Sequence, residues 1–202
     1  MRTEKVIMHS VVSTLVSIAA LFLLLILTLS FLFPSTMMYL TYDLGMDNSS
    51  VRNAKRAYAM YGQPIQYIAH ATEVSIGLGD FEKIEVCGEK LIADEEFDGY
   101  CKRRDGEVAS EGGYRQYVCS QVCLAKYELG EKMQAVEKAK EWLMGAFPKN
   151  NALAAVGLRA AMKGDQETVN AVLGKMNEMN ASALSDADKQ YREKILRALQ
   201  NG

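Results

Sequence analysis

The stretch from Val11 to Phe33, VVSTLVSIAALFLLLILTLSFLF, holds twenty-three residues without a charge, a glycine or a proline. At about 1.5 Å rise per residue, a helix of that length reaches past the roughly 30 Å hydrocarbon core of a bilayer. Its polar residues are Ser and Thr, whose hydroxyls bond back to carbonyls of their own helix. Residues 11–33 therefore read as a membrane span. The competing reading is a cleaved signal peptide, which needs an apolar core of roughly 7–15 residues and a small-residue cleavage site. Here the core is longer, and Pro34-Ser35-Thr36-Met37-Met38-Tyr39 follows it without an Ala-x-Ala pattern. An uncleaved signal anchor is the expectation.

Arg2, Lys5 and the terminal amine precede the span against one acid, Glu4, while Asp43 and Asp47 follow it with no base before Arg52. Lys and Arg concentrate on the cytoplasmic side. This places residues 1–10 in the cytoplasm and the rest of the chain outside, although Arg52, Lys55 and Arg56 narrow the asymmetry.

About 165 residues remain beyond the anchor, enough for one domain with its own core. The net charge of −2 gives no basic field to draw nucleic acid. Three prolines in the chain and many Ala, Leu, Met, Glu and Lys favour helix. Alternating Val, Ile and Thr are missing after the anchor, so no strands are expected and the fold class reads as all-α.

Helical patterns come in pairs, broken each time by glycine with an acid beside it. Leu44-Gly45-Met46-Asp47, Leu78-Gly79-Asp80, Leu129-Gly130-Glu131 and Lys163-Gly164-Asp165 look like one corner used four times. Gly45 to Gly79 is 34 residues, as is Gly130 to Gly164, and Gly79 to Gly130 is 34 plus an insertion of 17. The segments Tyr42–Ala57 and Tyr127–Trp142 share Tyr, Leu, Gly, Val, Ala and Lys in register, and Pro64 and Pro148 follow them at hairpin boundaries.

On these residues the chain, from about 35 to 181, resembles a divergent tetratricopeptide-repeat (TPR) protein, in which helix–turn–helix units of 34 residues stack side by side. A generic paired-helix solenoid shares the same spacing. Five residues past the corner the TPR pattern places a small residue; Ser50 and Ala135 conform, and Ile84 and Val169 depart from it. The consensus Trp and Tyr of the first helix are mostly absent.

The expected pairs are 35–44 with 49–61, 64–78 with 81–93, 114–129 with 132–146, and 150–163 with 166–179. The first helix of the first pair continues the membrane helix, with Pro34 as a site for a kink. Residues 94–113, acidic then basic then Gly-rich, read as a surface insertion loop. Residues 185–200 read as an amphipathic capping helix. Ser185-Asp186-Ala187-Asp188 opens it like a capping box, and Tyr191, Ile195, Leu196 and Leu199 lie on its apolar face. A repeat array needs such a lid.

Four cysteines stand out: Cys87, Cys101, Cys119 and Cys123. An extracytoplasmic domain permits disulfides. Cys119 and Cys123 share a helix face, and parallel side chains on one helix give the wrong dihedral for a bridge between them. Bridges from Cys87 and Cys101 to Cys119 and Cys123 are therefore the disulfide candidates. Buried thiols acting as small hydrophobes are the plain alternative, and a four-Cys zinc site lacks paired Cys-x-x-Cys knuckles. Without Cys-x-x-Cys or Cys-x-x-Cys-His there is no thioredoxin-like or haem signature.

Two histidines occur. His9 precedes the span, and His70 shares a helix face with Glu73, an arrangement more typical of a surface contact than of a metal or acid–base pair. No nucleophile elbow, Walker loop or His-Glu-x-x-His motif occurs. Asn48-Ser49-Ser50 and Asn180-Ala181-Ser182 match the glycosylation triplet, which matters only in a eukaryotic secretory route. No catalysis, cofactor, metal or small-molecule substrate is expected.

The TPR resemblance implies a concave groove lined by first helices and holding a peptide or helix. Carried onto this chain, it would present Gln66, His70 and Glu73, then Tyr117, Gln121 and Tyr127, then Asn151, Ala155 and Leu158, a mixed face with aromatic anchors. The Lys, Arg and Asn clamp for acidic chaperone tails is missing. The resemblance implies a membrane-anchored interaction module, an adaptor or accessory subunit for a membrane-associated protein partner, like TPR accessory proteins of bacterial envelopes. The alternatives are a structural subunit of a larger membrane assembly and a thiol-based redox protein using Cys119 and Cys123.

Overall fold

The computed structural model describes residues 2–105, 113–142, 152–178 and 186–201. Among them the fold is all-helical, with eleven helices and no strand. The chain divides into two compact units, Met1–Gln63 and Pro64–Gly202.

The first unit holds α1 (Arg2–Leu32), α2 (Pro34–Asp43) and α3 (Asp47–Met60). Within α1, Val11–Leu32 is long and apolar enough to cross a membrane, and none of it is buried. The Ser17 hydroxyl donates to the Ser13 carbonyl (2.9 Å) and Thr28 to that of Leu24 (2.8 Å), so these polar groups are satisfied inside the helix. Phe33, at φ −131° and ψ 61°, leaves helical geometry, and Pro34 opens α2. Hydrogen bonds from Phe33 N–H to Leu29 O and from Met37 N–H to Phe33 O run on across this break. The hairpin thus follows the apolar helix with no linker. α2 and α3 pack together through Met37, Met38 and Thr41 on one and Val51, Ala54 and Ala57 on the other, all buried.

The second unit holds α4 (Ile65–Leu78), α5 (Phe81–Ile92), α6 (Phe97–Asp105), α7 (Tyr114–Glu128), α8 (Lys132–Glu141), α9 (Ala152–Met162), α10 (Gln166–Glu178) and α11 (Asp186–Asn201). Packing follows chain order: α4 on α5, α5 on α7, α7 on α8 and α9, α9 on α10 and α11. Each element meets mainly its neighbours, the pattern of stacked hairpins.

The four corners share one geometry. Gly45, Gly79, Gly130 and Gly164 have φ of 69°, 65°, 92° and 68°, the left-handed region that a Cβ disfavours. At each, the glycine N–H reaches the carbonyl three residues back (Tyr42, Ile76, Tyr127, Ala161). The next N–H reaches the carbonyl five back (Thr41, Ser75, Lys126, Ala160). This is the Schellman ending of a helix, repeated four times. After two of the corners an aspartate caps the next helix, Asp80 accepting from Lys83 N–H (3.2 Å) and Asp165 from Thr168 N–H (3.3 Å).

Five residues past each corner the side chain is buried in every case: Ser50, Ile84, Ala135 and Val169. Ile84 and Val169 depart from the small-residue pattern in volume and not in location. Closest approach is supplied elsewhere. A Cβ on Gly88 of α5 would fall 2.2 Å from Val122 Cγ2 of α7, and one on Gly157 of α9 would meet Ile195 Cδ1 of α11 at 2.8 Å. α11 therefore seats Ile195, fully buried, in a core with Val156, Val169 and Val172.

One expectation is corrected. The stretch 94–113, read as a surface loop, contains α6, with Phe97 and Cys101 buried one helical turn apart. Charge at 102–105 masked this pattern. The expected helix end at 146, and residues 150, 179 and 185, lie outside the described residues, as do the glycosylation triplet at 180–182 and Pro148.

Candidate functional site

The expected partner-binding residues sit on α4, α7 and α9. Gln66 is exposed, His70 is half-buried, Tyr117 is 46% exposed and Gln121 is half-buried. Burial lowers the His70 pKa, and the Glu73 carboxylate beside it works against that shift.

The remaining members of the set are placed differently. The Glu73 carboxylate is taken up by the Arg104 guanidinium of α6. Tyr127 is only 4% exposed, and its hydroxyl donates to Asp165 Oδ2 (3.1 Å), joining α7 to the α9–α10 corner. It is a core residue; the aligned Tyr42, by contrast, is exposed. Leu158 and Ala155 are half-buried, Leu158 packing against the core. Asn151 lies outside the described residues. Of the expected set, Gln66 and Tyr117 are thus exposed, and His70 and Gln121 keep part of their surface in solvent.

α6 is strapped at both ends, Arg104 to Glu73 of α4 and Asp98 to Arg115 of α7. The Arg104 guanidinium also lies 4.2 Å from the Tyr114 ring centroid, and Tyr100 meets the same ring edge-on at 5.8 Å. Burial, together with the Glu73 carboxylate, raises the pKa of the Tyr114 hydroxyl well above the phenolic range.

Sequence reasoning missed Lys126. It stands four residues before the corner glycine, where the other repeats carry Thr41, Ser75 and Ala160, all buried, and it is itself 4% exposed. Its ammonium meets Glu85 and Glu89 of α5 (2.5 and 2.9 Å) and Glu131 of the corner (3.3 Å). Burial opposes the charge, but hydrogen bonds to the three carboxylates outweigh it and hold the Lys126 pKa above the ordinary lysine range. Next to it Asp165 collects Lys132 (2.8 Å), the Thr168 hydroxyl (2.9 Å) and Tyr127. Against the effect of burial, these bonds hold the Asp165 carboxyl down at about 2. Glu128 takes both Arg159 of α9 and Lys163 just past its end (2.5 and 2.6 Å). Ion pairs thus tie α7 to α5, to α6, to its own corner and to α9, and they are structural clamps.

All four cysteines are buried thiols, and none is half of a disulfide in this structure. Burial pushes the Cys101 thiol up to about 11 and Cys119 to about 12, and raises Cys123 further. That is the opposite of the electropositive, accessible setting that makes a thiolate.

Among the described residues no group of three or more His, Cys, Asp and Glu is arranged to hold a metal. A shallow cleft of about 350 Å³ opens between the α7–α8 corner and the start of α10, lined by Glu131, Lys132, Gln134, Glu167 and Thr168 among others. Its mixed charge and open form define no ligand class. Comparison with protein-family models, curated proteins and solved structures finds no match for this chain.

Proposed function

We propose that the chain is a single-pass membrane protein whose TPR-like hairpins bind another protein at the membrane, as an adaptor or accessory subunit without catalytic activity. α1 anchors it, with residues 1–10 cytoplasmic and the hairpins outside. The reading rests on one observation: four corners of identical hydrogen-bond pattern, spaced by 34 residues or by 34 plus an insertion, follow a helix of membrane-spanning length. Anchoring raises the local concentration of a rigid face for a membrane-bound partner. The contact residues are Gln66, His70, Tyr117 and Gln121, with Tyr117 as the aromatic anchor.

The buried, high-pKa thiols count against the redox alternative. In an oxidising compartment Cys101 of α6 and Cys119 of α7, near enough for one thiol to act on the other, are one candidate disulfide pair, and thiol counting on the unreduced native protein tests it. Photo-crosslinkers at Tyr117 and Gln121 in native membranes, with one at exposed Val86 of α5 as comparison, test the interaction face. Discrete protein adducts at 117 and 121 and none at 86 are expected. No adduct at either α7 position refutes the groove, and equal adducts at all three in a stoichiometric assembly favour a structural subunit.

A further inference from the structure

The hairpin that follows the span carries three exposed bases on α3: Arg52, Lys55 and Arg56. Arg52 reaches the Ser49 hydroxyl (3.4 Å), and among the described residues no carboxylate pairs with Lys55 or Arg56. In the second unit Lys126, Lys132, Lys140, Arg159 and Lys163 are paired, while Lys102 and Arg103 of α6 are exposed.

Their height follows from register. The corner at Gly45 reverses the chain, and the Ser50 hydroxyl donates to the Met38 carbonyl (2.9 Å), which sets residue 50 level with residue 38. Each step onward along α3 then runs one step back along α2. Arg52 falls level with residue 36, and Lys55 and Arg56 come back to the start of α2 at Pro34, beside the end of the apolar run of α1. At about 1.5 Å per residue the three bases span roughly 6 Å of height. The headgroup layer on each side of a bilayer is about 5–8 Å deep. Met60 and Tyr61, at the end of α3, are 53% and 43% exposed, an apolar and an aromatic group of the kind found at a membrane interface.

We propose that α3 forms a basic collar that binds anionic phospholipid headgroups at the end of the span. The inference rests on the membrane reading of α1 and holds whichever way the span is oriented. It gives the three bases a role that charge asymmetry alone does not.

The test uses the full chain in nanodiscs of mixed phosphatidylcholine and phosphatidylglycerol, with retained lipid read by native mass spectrometry. The wild type is expected to retain phosphatidylglycerol selectively. In the Arg52→Gln/Lys55→Gln/Arg56→Gln variant that selectivity falls by about five-fold per base removed, from roughly 1 kcal/mol per Lys or Arg near an anionic surface. Arg52→Lys/Arg56→Lys keeps it, as does Lys102→Gln/Arg103→Gln, which removes exposed bases of α6. Equal helical content by circular dichroism shows that the variants fold. No selectivity in the wild type, or unchanged selectivity in the triple variant, overturns the collar while leaving the anchor standing. A chain that fails to enter nanodiscs overturns both.

Discussion

Replacing Lys126 with Met removes the one cation shared by Glu85, Glu89 and Glu131 while keeping a long side chain to fill the site. Loss of one partner of a buried pair costs about 3–5 kcal/mol when the remaining charge stays buried. Here the carboxylates differ: Glu85 is only 17% exposed, while Glu89 and Glu131 are 42% and 38% exposed and turn to water. The expected cost is therefore about 2–4 kcal/mol, most of it from stranded Glu85. For a domain of this size that lowers the melting temperature by about 6–12 °C. Trp142, the only tryptophan, packs against the core of α8 and α9 and reports the melt by fluorescence in the detergent-solubilised full chain. Adding Glu85→Gln recovers part of the loss, giving a coupling of about 1–3 kcal/mol in the double-mutant cycle. Because the folded pKa of Lys126 is raised, its contribution is present below the ordinary lysine range and fades as pH climbs through the folded value. A Lys126→Met protein as stable as the wild type, or zero coupling to Glu85, refutes the clamp.

Gly88→Ala sets a methyl group against Val122 Cγ2 and costs about 1–3 kcal/mol, with Val122→Ala relieving part of it in the same melt. Ile195→Ala empties the seat of the capping helix at Gly157 and costs about 2–5 kcal/mol, with hydrogen exchange rising first in α11 and α9. Asp165, held at about 2, contributes stability above the ordinary aspartate pKa; acid titration removes up to about 2 kcal/mol as pH falls from about 4 to about 2, and Asp165→Asn flattens that limb. Cys119 and Cys123 in reduced native protein react with iodoacetamide far more slowly than after denaturation, since both are fully buried with raised pKa values.

The corners were legible because a left-handed helix ending all but requires glycine, and the acid after it has a capping use visible in sequence. The paired Val51 and Val136, and Ala54 and Ala139, are buried as their shared register implies. Three features were not legible, each for a physical reason. Lysine in a helix reads as solvated surface, so the buried Lys126 could be found only by noticing that its repeat position is small or apolar elsewhere. α6 hid behind its charges, although Phe97 and Cys101, four apart, carried the helical signal. Tyr127 was read as a groove residue by analogy with first-helix positions; its partner, Asp165, lies 38 residues away, beyond the reach of local pattern.

The account depends most on α1 being a membrane anchor with the hairpins on the outer side. The direct measurement is protease treatment of right-side-out and inverted membrane vesicles after alkaline carbonate washing. The account predicts that the chain stays with the membrane and that the second unit is digested in right-side-out vesicles but protected in inverted ones. Release by carbonate contradicts the anchor, and digestion only in inverted vesicles contradicts the orientation.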